Sequence, residues 1–298
     1  MRGEKLEWRA TGIPTTVDRR IDRRIDSTQH TVSQKDIRRR AMTEFVIRMT
    51  TPMSVKIDVK NVKKSFVSNQ GSLAVISGVS FSVADGEFVA IVSPSGCGKS
   101  TLMNIIAGFD RADEGSVTVE GAHGNGPSPK GIVISQHGSV FPWLSVQQNL
   151  MFGLNGDGHG DKAAPADRYA AMVGLKGLEM SYPHELSGGM LKGVELARAL
   201  VVKPEILYMD EPFAALDALM NLRMRTELLR ILEEERHTVL LITHDVEEAI
   251  YMADRIMVLS ARPTTIQATF EVSLAHPRKL SNPEAQALRE AILGELGL

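Results

Sequence analysis

The stretch EFVAIVSPSGCGKSTLMNIIAG, residues 87–108, constrains what this chain can fold into more than any other. EFVAIV is an apolar run of strand length, and Leu102, Met103, Ile105 and Ile106 recur at helical spacing up to a stop at Gly108. Between them, SPSGCGKST follows the pattern G-x-x-x-x-G-K-[ST], except that Ser93 stands where the first glycine belongs. Strand, glycine loop and helix in that order converge backbone N–H groups and a helix N-terminus on one point, a seat for phosphate. Gly96 and Gly98 let the backbone approach closely, Lys99 brings an ammonium to the outer phosphates, and Ser100 offers a hydroxyl to Mg2+. Pro94, Ser95, Cys97 and Thr101 complete the loop, with Cys97 reading as a filler at a place that accepts any small residue. Ser93 strains the turn if the chain there needs a positive φ, which residues other than glycine rarely adopt.

The surroundings of this loop are those of an α/β domain. VKIDVKNVKKSF from Val55 alternates as a strand does, and strand-like alternation resumes from Val79 to Val92 around the turn ADG at 84–86. Short strands are expected at 115–121 and 132–135, then at 205–210, 238–243 and 255–260, with helical stretches between the later ones. The segment from about 140 to 200 reads as mostly helical, broken by the flexible GLNGDGHGDKAAP at 153–165. Residues 264–298 read as a C-terminal extension, with a strand, a proline loop and an amphipathic helix.

Residues 1–52 stand apart, with 12 Lys/Arg against 7 Asp/Glu and the tandem DRRIDRRID at 18–26. They are expected to be a disordered basic tail or an over-extended gene start; a contact with anionic lipid or RNA is the alternative. The net charge of −2 on 298 residues predicts no nucleic-acid affinity for the molecule as a whole. The aliphatic runs are too short for a membrane span, residues 1–52 show no secretory signal, and the single Cys97 excludes an internal disulfide. A cytoplasmic protein is expected, attached to a membrane only through a partner.

Two further motifs carry chemistry. In EILYMDEP, 205–212, an apolar strand runs into Asp210 and Glu211 at the edge where open α/β sheets bind ligands. Asp210 can orient a metal or its water, and Glu211 can polarise an attacking water; a solvated turn is the bland alternative. In HELSGGMLKGVELARAL, 184–200, Ser187, Gly188 and Gly189 open a helix, which makes either an ordinary cap or a second anion seat. One nucleotide does not need two such seats in one chain, but two chains placed head to tail would bring them together.

From Val55 onward the chain resembles the ATP-binding subunit of ABC transporters. SPSGCGKST resembles Walker A, ILYMDEP Walker B, LSGGM (186–190) the signature, Gln136 in VISQH the Q-loop, AALD (214–217) the D-loop and ITHD (242–245) the switch-histidine loop. The resemblance implies a P-loop NTPase (RecA-like) fold over 53–263, with a helical subdomain at about 140–200 and an N-terminal antiparallel β-subdomain. It implies ATP and Mg2+ as cofactors, Glu211 as general base, His244 on the γ-phosphate, and Gln136 on the metal and in communication with the permease. Asp210 and Ser100 are further metal ligands in this reading, Phe66 packs on adenine, and Ser187, Gly188 and Gly189 bind the partner subunit's nucleotide. Asp217 falls in the loop that crosses the dimer interface in the family, although it reads equally as a helix cap. The implied partners are a second copy, an integral-membrane permease and, indirectly, a periplasmic or lipoprotein solute-binding protein, on the cytoplasmic face of the inner membrane.

Met190, YPHE (182–185), FPWLSVQQNLMFGL (141–154) and SARP (260–263) resemble the nitrate/sulfonate/taurine import group, which also includes bicarbonate systems. Trp143 reads equally as core or as an exposed anchor for a permease helix. Leu191, Lys192 and Gly193 replace the basic–Gln–Arg run of relatives, and Gly193 inside a helix costs about 1 kcal/mol relative to alanine. With Ser93, these changes lead to an expectation of competent binding but slower hydrolysis than is usual in the family. The competing readings are another importer's subunit, a regulatory subunit with weak turnover, and an ABC protein of translation or DNA maintenance. The last lacks support, since neither a second cassette nor a long coiled-coil insert is present.

Overall fold

The structure is a computed structural model that describes residues 54–68, 71–123, 126–136, 138–155, 163–214 and 216–298. The expectations for the basic segment 1–52, and for the middle of the 153–165 insertion, lie outside the described residues.

Two sheets make up the domain. The first is antiparallel, in the order β2 (Gly71–Ala84), β1 (Val55–Ser68), β4 (Glu114–Val119), β5 (Ala122–His123). The second has the order β10 (Ile266–Glu271), β9 (Arg255–Leu259), β3 (Phe88–Val92), β8 (Thr238–Thr243), β7 (Ile206–Asp210), β6 (Gly131–Ile134). Its strands run parallel from β9 through β6, and β10 closes the edge antiparallel to β9. Residues after 263 therefore supply a strand of the main sheet.

The central strands β3, β7 and β8 are buried from end to end. Their side chains alternate between two cores, as period-2 pleating requires. Val89, Ile91, Ile206, Tyr208, Leu240 and Ile242 pack with β1, β2 and helix α1 (Lys99–Ile106). Ala90, Val92, Leu207, Met209, Val239 and Leu241 pack on the opposite face with the remaining helices. Each fully buried aliphatic side chain contributes about 1.5–3 kcal/mol, so this central ladder is rigid enough to fix whatever its strand ends carry.

Those ends define the site. In the parallel register Val92 pairs with Thr243, Asp210 with Ile242 and Ile134 with Met209. Four adjacent strands thus deliver the phosphate loop, the His244 turn, the Asp210–Glu211 pair and the Gln136 segment to one edge.

The helical region holds less helix than the sequence suggests. Helices α2 (Val146–Phe152), α3 (Ala163–Met172) and α4 (Gly188–Leu200) are separated by loops. Ser145 starts α2 with a capping box to Gln148, and Pro183 sits in a short 3-10 turn ahead of α4, so local polar bonding competes with continuous helix. Helices α5 (Ala218–Glu234), α6 (Val246–Met252) and α7 (Pro283–Glu295) complete the fold. No helix of the described residues is long and apolar enough to cross a membrane.

Candidate nucleotide site

The phosphate loop alternates anchors with open positions. Ser93, Cys97 and Lys99 are buried, whereas Pro94, Ser95, Gly96 and Ser100 are exposed and Thr101 is half-buried. Gly96 and Gly98 have φ of 74° and 118°, and a Cβ on Gly98 would come within 2.5 Å of Val75 Cγ1. Both glycines are therefore required by conformation, and Gly98 also by space. Ser93 lies outside the left-handed region, so the strain expected there is not present. Its hydroxyl instead meets Cys97 Sγ at 2.9 Å across the loop, which makes Cys97 a structural anchor and not a filler.

The loop is braced from a distance. Thr264, fully buried, donates from Oγ1 to the Cys97 carbonyl at 2.5 Å, and the Arg262 guanidinium donates to the Gly96 carbonyl. Along the sequence Arg262 stands out only within the SARP run, and Thr264 belongs to no motif. Bonds between residues 166 or 167 positions apart leave no local periodicity to find.

Lys99 donates to the carbonyls of Ser93 and Pro94 at 3.2 Å each, and its ammonium lies 4.0 Å from Glu211 Oε1. Gln136 Nε2 donates to Glu211 Oε2 at 3.1 Å, and His244 Nδ1 is 3.3 Å from Glu211 Oε1. Lys99, Gln136, Glu211 and His244 thus meet around one carboxylate. Glu211 itself holds φ 48°, a conformation that costs on the order of 1–3 kcal/mol and is tolerated at a site that the ladder over-determines. Its N–H donates to Ile242 O at 2.9 Å, fixing it to β8.

The His244 turn is held on both sides. Thr243 Oγ1 accepts from Asp245 N at 3.0 Å and donates to Glu248 Oε2 at 2.6 Å, and Asp245 caps α6 through Glu247 N and Glu248 N. Arg225 reaches Asp245 at 2.8 Å and lies 3.8 Å from Glu248. Burial pushes the Glu248 carboxyl up to about 7, against the bond from Thr243.

Asp210 is 8% exposed and bonded by Ser100. Burial holds its carboxyl above the usual range, against the Ser100 bond and with the Glu211 charge adding to the effect. A buried carboxylate beside the hydroxyl of an exposed serine fits Mg2+, which prefers one or two protein oxygens and completes its shell with phosphate and water. Among the described residues no group of three or more His, Cys, Asp or Glu could hold a metal ion.

Other expected residues stand elsewhere. Ser187 caps α4 by accepting from Met190 N at 3.3 Å, and Gly188 faces open space. Among the described residues no hydrogen bond or ion pair joins Ser187, Gly188 or Gly189 to the phosphate loop. Asp217 caps α5 through Leu219 N and Met220 N, at 3.1 and 3.0 Å, which is the helix-cap reading of that residue. Phe66 is 44% exposed, with Lys64 over its ring at 5.4 Å. Trp143 is 69% exposed and packs on Phe141 at 5.5 Å, with Phe152 also against Phe141 at 4.5 Å, so the exposed reading of Trp143 is the one found.

Residues 76–214 match the family described as ABC transporter. The chain is 41% identical, over 82% of its length and 92% of the relative's, to an uncharacterized ABC transporter ATP-binding protein, MJ0412, of Methanocaldococcus jannaschii. It is 40% identical, over 82% and 94%, to the aliphatic sulfonates import ATP-binding protein SsuB of Bacillus subtilis. Among solved structures it is similar to the dimeric post-hydrolysis state of the ATP-binding cassette MJ0796 bound to ADP and Pi. There the TM-score is 0.66 at 27% identity, covering 74% of this chain and all of that one. With its strand-edge cluster and these relatives, the chain belongs to the ABC transporter ATP-binding proteins, ATP hydrolases coupled to transport.

Proposed function

We propose that the chain energises import of a small anionic solute of the nitrate, sulfonate or taurine kind, as a head-to-tail dimer on a separate permease. The observation that carries the reading is the meeting of Lys99, Gln136 and His244 around the single carboxylate of Glu211. The likeness to a sulfonate importer's subunit supports the solute class, and the dimeric ADP-bound cassette supports the assembly. The open face of Gly188 at the start of α4 supports it too, because a nucleotide held by a second copy can approach there. The attachment is peripheral, on the cytoplasmic face of the membrane. Trp143 and Phe152, both exposed and packed on the half-buried Phe141, are the surface offered to the permease.

In this reading Phe66 stacks on the base, and the loop from Ser93 to Thr101 cradles the phosphates. Mg2+, held by Ser100 and Asp210 with Gln136 beside it, would neutralise charge on the phosphate oxygens. Glu211 polarises the attacking water, held in place by its bonds to Gln136 and Ile242. His244 sits on a turn fixed by Thr243 and Asp245, from which it can contact the outer phosphate and register its loss.

Turnover of wild type against Glu211→Gln tests this. The variant is expected to lose about 10²–10⁴-fold in rate while still binding ATP. Equal rates would overturn the assignment and favour a regulatory subunit. Stimulation of turnover in proteoliposomes with the permease and a sulfonate-loaded binding protein, but not with an unloaded one, checks the solute.

A further inference from the structure

Helix α4 carries two charged residues where its interior face should be apolar. Lys192 is 8% and Glu195 3% exposed, in a run buried from Lys192 to Ala197. They pair with each other, Nζ to Oε2, at 2.9 Å. Each also holds the segment that carries Gln136. Lys192 donates to the Ser135 carbonyl at 2.8 Å, on one side of Gln136, and Glu195 accepts from the Ser139 N–H on the other. Arg198, one turn further on, donates to Ser139 Oγ at 2.6 Å and lies over the Phe141 ring at 4.8 Å.

A buried ion pair stabilises a fold little compared with apolar residues of equal volume, because desolvation offsets the attraction. What it does supply is a fixed geometry, since breaking it would leave a charge buried and unpaired. Gln136, Lys192 and Glu195 line one cleft of about 300 Å³ beside Gly188. The pair therefore ties the start of α4 to the Gln136 segment within one chain.

We propose that Lys192 and Glu195 form a clasp that positions Gln136 against Glu211, so that displacement of α4 is transmitted to the attacking-water site. Both are positioning residues, acting through Gln136. The proposal rests on the assignment of Gln136 and Glu211 to the nucleotide site. It gives the departure at Leu191–Lys192–Gly193 a function, because the lysine that replaces the family's glutamine is one half of the clasp.

The test is made on the purified full chain with ATP and Mg2+. Lys192→Met/Glu195→Met removes both charges at similar volume, which avoids leaving one buried and unpaired. It is expected to lower kcat about tenfold and to raise the Mg2+ concentration needed for half-maximal rate, with ATP affinity changed less than about twofold. Amide exchange in the peptide spanning Ser135–Val140 should accelerate. Adding Gln136→Ala to the double variant should cost nothing beyond Gln136→Ala alone. An unchanged kcat, or losses that multiply with Gln136→Ala, overturns the clasp. Should the double variant fail to fold, Glu195→Gln takes its place: it keeps an oxygen for Ser139 and drops the ion pair, and an unchanged kcat there is equally fatal. Glu211→Gln, run alongside, separates the two ideas, because its retaining full activity condemns the site assignment and not the clasp.

Discussion

The phosphate loop and the start of α4 both depart from the family pattern, and the chain absorbs the two departures by different means. At Ser93 the change stays local. The backbone needs no positive φ, the side chain is enclosed, and its hydroxyl finds Cys97 Sγ four residues on. At Leu191–Lys192–Gly193 the change spreads outward. Gly193 brings α4 close to Val173, at an ordinary 3.4 Å from a would-be Cβ, and Lys192 recruits Glu195 and the Gln136 segment. A neutral substitution in a loop can be satisfied by one neighbour, whereas a charge placed in a helix interior must be matched, and the match reaches other parts of the site.

The largest expected effect tests whether the loop is as conformationally fixed as its glycines imply. Gly98→Ala forces a Cβ toward Val75 at φ 118° and should cost at least about 1 kcal/mol, with loss of ATP binding by equilibrium titration. Retained affinity would mean that the loop is softer than α4.

Glu248 provides the contrast to Glu195, a buried glutamate whose partners do not neutralise it. It faces Thr243 at 2.6 Å and Arg225 at 3.8 Å, with the Asp245 carboxylate adding repulsion. With its pKa pushed up to about 7, its contribution to stability is complete below pH 4.5 and lost as pH rises through 7. The difference between urea midpoints at pH 5 and pH 8 should therefore shrink in Glu248→Gln, by at most about 3 kcal/mol in unfolding free energy. A pH slope identical in wild type and variant would show that Arg225 matches this carboxylate after all.

Gly193→Ala asks whether close packing or helix propensity governs α4. The contact with Val173 leaves room for a methyl group, so a gain of about 1 kcal/mol is expected in thermal unfolding. Destabilisation would show instead that Val173 requires the glycine. The smallest effect belongs to Ser93→Gly, which should leave turnover within about twofold and lower stability by about 0.5 kcal/mol, through greater freedom of the unfolded chain. A rate increase beyond that would restore Ser93 as a brake on hydrolysis.

The legibility of the site follows the range of its interactions. Ser93–Thr101, Asp210–Glu211 and Ser187–Gly189 were readable because each is a short run whose strand or helix context lies next to it. The buried strands β3, β7 and β8 were readable as apolar runs with flanking turns. The cap of α5 by Asp217, made to Leu219 N and Met220 N, was legible as one of two readings because it is local, whereas Trp143 stayed open between core and surface, since its exposure depends on what the rest of the chain leaves uncovered.

By itself the sequence determined the chemistry on offer: a phosphate loop, a carboxylate pair, a histidine turn and a second helix start, each encoded by neighbours along the chain. Only the tertiary structure decided which of these meet. Parallel register places Val92, Thr243, Asp210 and Ile134 at one edge, and long-range bonds from Thr264, Arg262, Lys192 and Glu195 fix the loops that leave it. Strand order and interior charge matching are properties of the packed chain, set by burial across residues far apart in sequence, and a local pattern cannot carry them.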